Sequence, residues 1–359
     1  MTSTYGATSS ASKRTVNSRN SVNGVARTKI LLLGQRRSGK TSINEVLFKS
    51  LPPKQTFYLE TTMRISKHAY DTVIPLEIWD CPGNITVDTL GAPLSQFSAL
   101  IFVIDIRDLY KQPISKLVEF IIAAYNDNPQ LHVEVFVHKA EKLQEDDKIE
   151  NFRQIQERVQ DHLLERECEQ MPYNFHLTSV YDHSLHEAFS KVLHKLIHSL
   201  PFLEDLLNVF CANSSSPKAF LFDAASRLYV ATDASPVDSA THNLCCDYLS
   251  MLNAFGPLYQ SPTSTPARLR IPAAEPSPDD PAPTETKDRF YPSAAASLHP
   301  SAPGTTLTYH LITPQLALLA LVPTGVWDGR RGLVEYNVVF FREGVQEICD
   351  VEREARGGG

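Results

Sequence analysis

Residues 29–42, KILLLGQRRSGKTS, place an apolar run directly before a loop that contains Gly34 and Gly39. The run at 29–33 is typical of a buried strand, and a helix-like segment starts near Ser42. The loop matches GxxxxGK[ST], a pattern whose backbone N–H groups surround a phosphate while the helix N-terminus adds its dipole. Such a match can occur by chance, but here a strand, the loop and a helix follow in the required order. The stretch therefore predicts a phosphate-binding loop in an α/β domain.

Apolar strand-like runs and helix-like segments alternate after this loop. The strand-like runs lie at residues 73–79, 100–105, 133–137 and 174–177. Apolar residues at helical spacing are clearest at 149–163 and at 185–196. This alternation predicts a mainly parallel sheet with helices on both faces. Because ligands of such sheets bind at the carboxyl ends of the strands, we expect further site residues there.

Two strand ends supply residues suited to a phosphate and its metal ion. Lys40 is expected to reach the β- and γ-phosphate oxygens, and the Thr41 hydroxyl is expected to bind Mg²⁺. Asp80 follows the strand at 73–79, where a carboxylate suits a water-mediated contact to Mg²⁺, and the amide of Gly83 can meet a γ-phosphate. The alternative for residues 80–84 is an acidic turn that binds nothing.

The last two strand ends carry residues suited to a guanine base. The tetrapeptide HKAE at 138–141 closes the strand at 133–137, where a GTPase would place NKxD. A lysine stem there lies along the base, and a carboxylate accepts hydrogen bonds from two guanine N–H groups. Ser179 and Val180 follow the strand at 174–177, where a backbone amide meets the base oxygen. A metabolic P-loop kinase or ATPase is the alternative, and it predicts adenine binding and an additional acidic substrate site.

Residues 201–349 predict a second domain of a different class. Strand-like runs lie at 219–222, 227–232, 305–312 and 316–322, and helix-like segments lie at 238–254 and 333–348. This β-β-α-β-β-α order predicts an α+β domain with an antiparallel sheet. Its sequence shows no catalytic constellation, so its apolar side is expected to bind a partner protein.

Proline marks a segment that interrupts the second domain. Ten of the 24 prolines lie between Pro262 and Pro303. Residues 261–304 contain few large apolar side chains and no periodicity, which predicts a disordered insert. Residues 1–26 are rich in Ser, Thr and Asn and are expected to form a disordered tail, with a transit peptide as the weaker alternative. Residues 350–359 are expected to form a flexible tail.

Charge, hydropathy and cysteine usage exclude several classes of protein. The net charge of −7 argues against a protein that coats nucleic acid. The longest nearly apolar run, at 311–322, is too short to span a bilayer, so no direct membrane insertion is expected. The six cysteines have no paired spacing and are expected to be small apolar residues in a reducing compartment.

Several strings together resemble one family, the Rag GTPases, and within it the C/D-type subunit. They are GQRRSGKTS at 34–42, IWDCPG at 78–83, HKAE at 138–141, LTSVYDHSLHEAFSKVLHKLI at 177–197, KAFLFDAASRLYVATDASPVD at 218–238 and NLCCDYL at 243–249. The resemblance covers roughly residues 27–260 and 305–349. The phosphate loop is common to many families, whereas the strings at 177–197 and in the second domain are far more specific.

The resemblance implies a Ras-like GTPase domain at 27–200, followed by a roadblock-like (longin-like) dimerisation domain at 201–349. It implies GTP or GDP as the bound nucleotide, Mg²⁺ as cofactor, and an A/B-type Rag subunit as heterodimer partner. Further implied partners are a membrane scaffold complex, a GTPase activator and the TOR kinase complex, which receives the amino-acid signal. The expected location is the cytoplasm, with recruitment to the vacuolar or lysosomal membrane through partners. Subunits of this type signal with GDP bound.

The resemblance also assigns residues to the site. The expected nucleotide contacts are Arg36, Arg37, Ser38, Gly39, Lys40, Thr41, Ser42, Thr62, Gly83, His138, Lys139, Glu141, Ser179 and Val180. Thr41 and Thr62 are the expected metal ligands, with Asp80 acting through water. The adjacent Thr61 is the alternative to Thr62 as the threonine of the first switch, and an exposed loop residue with no role is the other possibility.

Three positions depart from related GTPases. Arg36 stands where small GTPases often have Gly, Asn84 where the family has Gln, and Glu141 where the family has Asp. The Gln of the family orients the attacking water through its side-chain amide. Asn84 carries the same amide on a side chain that is one methylene shorter, so no catalytic residue is assigned. These departures predict slow GTP hydrolysis that depends on an activator, and weaker guanine discrimination. The alternative is a hydrolysis-deficient pseudo-GTPase that serves as a heterodimer scaffold.

Overall fold

A computed structural model describes residues 27–108, 111–166, 172–255, 292–298 and 304–357. Within these ranges the chain forms a six-stranded sheet from its first half and a five-stranded sheet from its second half. The predicted tail at 1–26 and most of the predicted insert lie outside the described residues.

The first sheet is the predicted, mainly parallel one. Its strands are β1 (Thr28–Gly34), β2 (Ser66–Asp71), β3 (Pro75–Asp80), β4 (Ala99–Asp105), β5 (His132–His138) and β6 (Tyr173–Thr178). Their spatial order is β2-β3-β1-β4-β5-β6, with β2 antiparallel to β3 and the other neighbours parallel. Strand β2 escaped the sequence pattern because its SKHAYD alternates between half-buried and exposed side chains at the sheet edge.

Helices cover both faces of this sheet, as expected. They are α1 (Lys40–Lys49), α2 (Lys111–Asp127), α3 (Glu145–Leu164) and α4 (Ser184–His194). Ile43 of α1 and Phe189 of α4 pack in one apolar cluster, whereas Leu117 of α2 and Ile155 of α3 pack in another. Residues of β1 alternate between the two clusters, because both faces of a central parallel strand are buried. The α/β expectation is therefore confirmed.

The second sheet is antiparallel and also carries helices on both faces. Its elements are α5 (Leu200–Ser214), β7 (Lys218–Asp223), β8 (Tyr229–Thr232), α6 (Ser239–Phe255), β9 (Ser293–Ser297), β10 (Thr305–Leu311), β11 (Leu316–Pro323) and α7 (Thr324–Gly357). The strand order is β8-β7-β11-β10-β9. Helices α5 and α7 pack on one face through Phe210 and Phe341, and α6 packs on the other through Cys246 and Leu249. The α+β expectation is confirmed.

One strand lies inside the segment that the sequence predicts to be disordered. Residues 293–297, SAAAS, form β9 and pair with β10 in antiparallel register. The prediction of disorder for 261–304 is thus wrong at these positions. Small side chains hid the strand, since its pairing depends on backbone hydrogen bonds, while Ala294 and Ala296 pack against the cluster under α6.

The last helix is longer at both ends than its apolar pattern suggested. Helix α7 begins at Thr324 and ends at Gly357, with a non-helical residue at Arg330. Residues 350–357 are therefore helical, and the prediction of a flexible tail at 350–359 is wrong for this part. The charged residues at 350–357 are mostly Glu and Arg, which have high helix propensity. This part of the helix has no apolar stripe, so the apolar pattern did not predict it.

Among the residues that the structure describes, none of the helices combines the length and apolarity needed to cross a bilayer. Cys81, Cys245 and Cys246 are buried thiols, as expected.

Candidate functional site

The carboxyl ends of the parallel strands surround a cavity of about 660 Å³. Most of the residues predicted from the sequence line it. They are Arg36, Arg37, Gly39, Lys40, Thr41, Ser42, Thr62, Gly83, His138, Lys139, Glu141 and Val180. Ser38, Asp80 and Ser179 are buried directly behind this lining, whereas Asn84 is exposed and lies outside it.

The loop between β1 and α1 has a backbone conformation that requires glycine at two positions. Gly34 and Gly39 have φ values of +143° and +110°, which residues with a Cβ rarely adopt. A Cβ on Gly34 would lie 2.3 Å from the carbonyl oxygen of Val103, and one on Gly39 would lie 2.6 Å from the His138 ring. Both glycines are therefore required for the loop to fit against β4 and β5.

Lys40 is a buried cation at the base of this loop. Its Nζ donates hydrogen bonds to the carbonyl oxygens of Gly34 and Gln35 at 2.9 and 2.8 Å. Burial lowers the pKa of Lys40 to about 8, although Asp80 opposes this effect. An anion in the cavity would stabilise the charged form, so the side chain is suited to bind a phosphate.

Three oxygen-bearing side chains converge next to Lys40. The Thr41 hydroxyl oxygen lies 2.7 Å from both the Thr62 hydroxyl and Oδ2 of Asp80, and Thr62 donates to the same Oδ2 at 3.1 Å. The other oxygen of Asp80, Oδ1, is buried without a hydrogen-bond partner in the described part of the chain. Hydroxyl and carboxylate oxygens are the donors that Mg²⁺ prefers, so this set fits that ion. Thr62, and not the exposed Thr61, belongs to the cluster.

The base side of the cavity is built by the loops after β5 and β6. The Ser179 hydroxyl donates to Oε2 of Glu141 at 2.7 Å, which fixes one carboxylate oxygen. Oε1 of Glu141 lies 4.0 Å from the ammonium of Lys142. The contact with Ser179 therefore restricts the longer side chain that Glu141 has in place of Asp.

Lys139 ties the base side to the phosphate loop. Its Nζ donates to the carbonyl oxygen of Arg37 at 2.5 Å and to Oδ2 of Asp105 at 2.9 Å. Although burial opposes the effect, hydrogen bonds from Arg107 and Lys139 lower the pKa of Asp105 to about 2. Asp105 is thus ionised at neutral pH and holds the lysine stem in place.

His138 is a packed, neutral histidine behind the phosphate loop. Its Nδ1 lies 3.0 Å from the Thr178 hydroxyl, and its ring faces Gly39. Complete burial, and to a lesser degree the charge of Lys139, lower the pKa of His138 to about 3. The ring therefore packs between the phosphate loop and Thr178 at the end of β6, and it carries no charge at neutral pH.

Some lining residues were missed by the sequence reasoning. Arg107 and Lys142 add positive charge, and Phe57 and Tyr181 add aromatic rings at the mouth of the cavity. The Lys142 ammonium lies 5.5 Å and 5.9 Å from the centres of these two rings. Lys142 and Tyr181 directly follow predicted positions and could have been found. Phe57 belongs to a 3₁₀ turn at Pro53–Tyr58 that has no apolar pattern.

Comparisons with known proteins agree with this geometry. A family model described as "Gtr1/RagA G protein conserved region" matches residues 29–249. The chain is 37% identical over 324 residues to "GTP-binding protein gtr2" of Schizosaccharomyces pombe, which covers 89% of this chain and 97% of that protein. It is 38% identical over 330 residues to "Ras-related GTP-binding protein D" of Mus musculus, covering 90% and 68% of the two chains. It is also 36% identical over 329 residues to "Ras-related GTP-binding protein C" of Homo sapiens, covering 90% and 77%.

Proposed function

The chain belongs to the Gtr1/RagA family of G proteins, with relatives of the Rag C/D type, and we propose that it is the C/D-type subunit of a signalling Rag heterodimer. As a member of a G-protein family it binds GTP or GDP. The observation that carries the site assignment is the convergence of Lys40, the oxygen cluster of Thr41, Thr62 and Asp80, and the Glu141 carboxylate on one cavity.

In this proposal the phosphate loop holds the α- and β-phosphates with backbone N–H groups, and Lys40 moves from its loop carbonyls to the β- and γ-phosphate oxygens. Thr41 and Thr62 would hold Mg²⁺ directly, with Asp80 acting through water. That ion, when bound, supplies charge neutralisation at the phosphates.

The base is recognised by residues that the loops already orient. Glu141 accepts hydrogen bonds from two guanine N–H groups through a carboxylate that Ser179 positions. The Lys139 stem lies along the base, while its ammonium stays on Arg37 and Asp105. The backbone amide at Val180 faces the base oxygen.

Hydrolysis by the subunit alone is expected to be slow. Asn84, at the position where the family usually has the water-orienting Gln, is exposed and lies outside the cavity lining. Slow, activator-dependent turnover is the leading proposal. The second candidate is a hydrolysis-deficient heterodimer scaffold, which the exposed position of Asn84 also favours.

The partner is proposed to bind at α6 and β9. Leu244, Met251 and Phe255 are exposed apolar residues at helical spacing on α6, and β9 is an edge strand of the sheet beneath this helix. An edge strand and an adjacent apolar helix face are a combination suited to pairing with a similar domain. This supports a heterodimer with an A/B-type Rag subunit.

The cellular role follows from the family resemblance. The heterodimer would be cytoplasmic, recruited to the vacuolar or lysosomal membrane by a scaffold complex, and would relay amino-acid sufficiency to the TOR kinase complex. A GTPase activator would set its nucleotide state.

Single-turnover hydrolysis of labelled GTP by the purified heterodimer tests the proposal. We expect slow turnover alone and a marked acceleration by an activator of this family. Turnover that no activator stimulates would favour the scaffold and contradict the switch.

A further inference from the structure

The loop after β3 forms a tight turn beside the cavity. Ile85 donates its backbone N–H to the carbonyl oxygen of Pro82 at 3.2 Å, which places Gly83 and Asn84 at the centre of the turn. In the described chain neither central residue has a positive φ. The turn is therefore of type I, since a type II turn requires a positive φ at its third residue, here Asn84.

A lysine from α2 holds the middle peptide of this turn. Nζ of Lys116 donates to the carbonyl oxygen of Gly83 at 2.8 Å. Burial lowers the pKa of Lys116, with nearby Glu119 opposing the effect, so the ammonium is partly withdrawn from water. A charge-assisted hydrogen bond is stronger than one between neutral groups, and partial burial strengthens it further.

The residues on both sides of the Gly83–Asn84 peptide are held by packing. The flanking residues Cys81 and Ile85 are buried in the same apolar cluster as Leu117 of α2, so both ends of the turn are fixed. Gly83 itself touches the phosphate loop, because a Cβ there would lie 2.3 Å from the backbone nitrogen of Arg36. A flip of the Gly83–Asn84 peptide is the local change that the bond from Lys116 opposes.

The direction of that peptide matters for an anionic ligand. In a trans peptide the C=O and N–H groups point in opposite directions. With its oxygen on Lys116, the peptide directs the N–H of Asn84 away from α2. A flip would release the oxygen from Lys116 and exchange the two groups. A γ-phosphate beside Gly83 attracts an N–H group and repels a carbonyl oxygen.

We propose that Lys116, which lies outside the cavity lining, is a positioning residue for recognition of the third phosphate: by holding the Gly83 carbonyl oxygen, it keeps that oxygen away from a γ-phosphate whose expected partner is the Gly83 N–H. The inference rests on the proposed guanine-nucleotide function and adds a determinant of the choice between GTP and GDP. The contacts of a diphosphate, through Lys40 and the phosphate loop, do not involve this turn.

The test compares Lys116→Met with the unmodified full-length chain, using equilibrium affinities for GDP and for a non-hydrolysable GTP analogue in the presence of Mg²⁺. Loss of the charge-assisted bond should weaken binding of the GTP analogue about tenfold and leave GDP binding within about twofold. Lys116→Arg keeps a donor and should retain the affinity of the unmodified chain for both nucleotides. Lys111→Met, at an exposed position on the same helix, removes the same charge and should change neither affinity.

Three results would overturn the proposal: equal losses for both nucleotides in Lys116→Met, which would assign the lysine a general structural role; unchanged affinities in Lys116→Met; or the same selective loss in Lys111→Met. Failure of the unmodified chain to bind either guanine nucleotide would contradict the proposed function itself, which separates the two claims.

Discussion

Among single residues of the site, the orientation of the Glu141 side chain depends on its neighbour Ser179. Glu141 is one methylene longer than the Asp of related GTPases, and bidentate recognition of a base is geometrically strict. The buried hydroxyl of Ser179 lies 2.7 Å from one carboxylate oxygen of Glu141 and so limits its rotamers. The orientation of the Glu141 carboxylate therefore depends on two residues from different loops.

Ser179→Ala should weaken GDP binding. Without the hydroxyl, the Glu141 carboxylate loses its anchor, and we expect an affinity about five- to tenfold lower. Fluorescence titration with a labelled GDP measures the change. Ser115→Ala, at an exposed position on α2, is the control and should bind GDP like the unmodified chain. Unchanged GDP binding in Ser179→Ala would show that the serine does not orient the glutamate.

Asn84→Gln should accelerate hydrolysis. The longer side chain can extend from the exposed position of residue 84 toward the cavity and orient the attacking water, so we expect a single-turnover rate about tenfold higher or more. Asn84→Ala should keep the slow rate of the unmodified chain. An Asn84→Ala rate well below the unmodified one would mean that Asn84 already orients the water.

The sequence predicted those site residues whose positions follow from strand ends. Asp80 was predicted because it directly follows an apolar run, and Lys40 and Glu141 because they lie in the loops after such runs; the structure brings all three to one cavity or its wall. Phe57 was missed because the segment between α1 and β2 has no periodicity. The contact between Lys116 and Gly83 joins residues 33 positions apart, and no local pattern reports such a contact.

At the scale of elements, β9 and α6 define the surface that is proposed to bind the partner. β9 has no pattern of large apolar residues that would predict it, because this edge strand of small residues forms through backbone pairing with β10. Helix α6 was predicted within one residue at each end, at 238–254 against Ser239–Phe255, because its apolar residues pack on the sheet at helical spacing.

Met251→Asp should weaken heterodimer formation. Met251 lies on the exposed apolar face of α6, where a carboxylate would be buried by a partner but is solvated in the free subunit. We expect the dissociation constant for an A/B-type subunit to rise about tenfold or more, without loss of subunit stability. Analytical ultracentrifugation measures the constant. Leu333→Asp, a similarly exposed position on α7, is the control, and equal effects of the two variants would contradict the assignment of the surface to α6.

At the scale of the whole molecule, the two sheets share one apolar cluster. Residues of α1 and α4 on the first sheet belong to the same cluster as residues of α5, α7 and the second sheet. The predicted boundary near residue 200 falls at the start of α5, in the middle of this shared packing. Composition and periodicity predicted two units of the correct classes. They could not predict the shared core, which depends on contacts between distant segments.

Buried histidines should make the whole fold sensitive to acid. Burial lowers the pKa of His138 to about 3 and those of His194, His242 and His310 to about 4. These groups stay neutral in the folded protein, whereas in the unfolded chain they bind protons below about pH 6.5. Stability is therefore greatest above that pH and falls as the pH decreases toward 4.

Urea unfolding at constant nucleotide concentration measures this dependence. The free energy of unfolding should fall by about 1 kcal/mol per histidine between pH 6.5 and 5.5. His310→Gln removes one of the groups and should reduce the slope by one histidine's share. A free energy of unfolding that is constant or rises as the pH decreases over this range would contradict the account.

The cavity at the strand ends is proposed to bind guanine nucleotides, and a competition experiment on the purified heterodimer measures its preference for the base. Bound labelled GDP is displaced with GTP, GDP, ATP or XTP, and we expect displacement by GTP and GDP at far lower concentrations than by ATP. XTP should compete more weakly than GTP, because xanthine lacks one of the two N–H donors that the proposed Glu141 contact uses, and a marked rise in XTP binding would show that Glu141 has altered the choice of base. Displacement by ATP at concentrations equal to or below those of GTP would show that the cavity is not a guanine-nucleotide site.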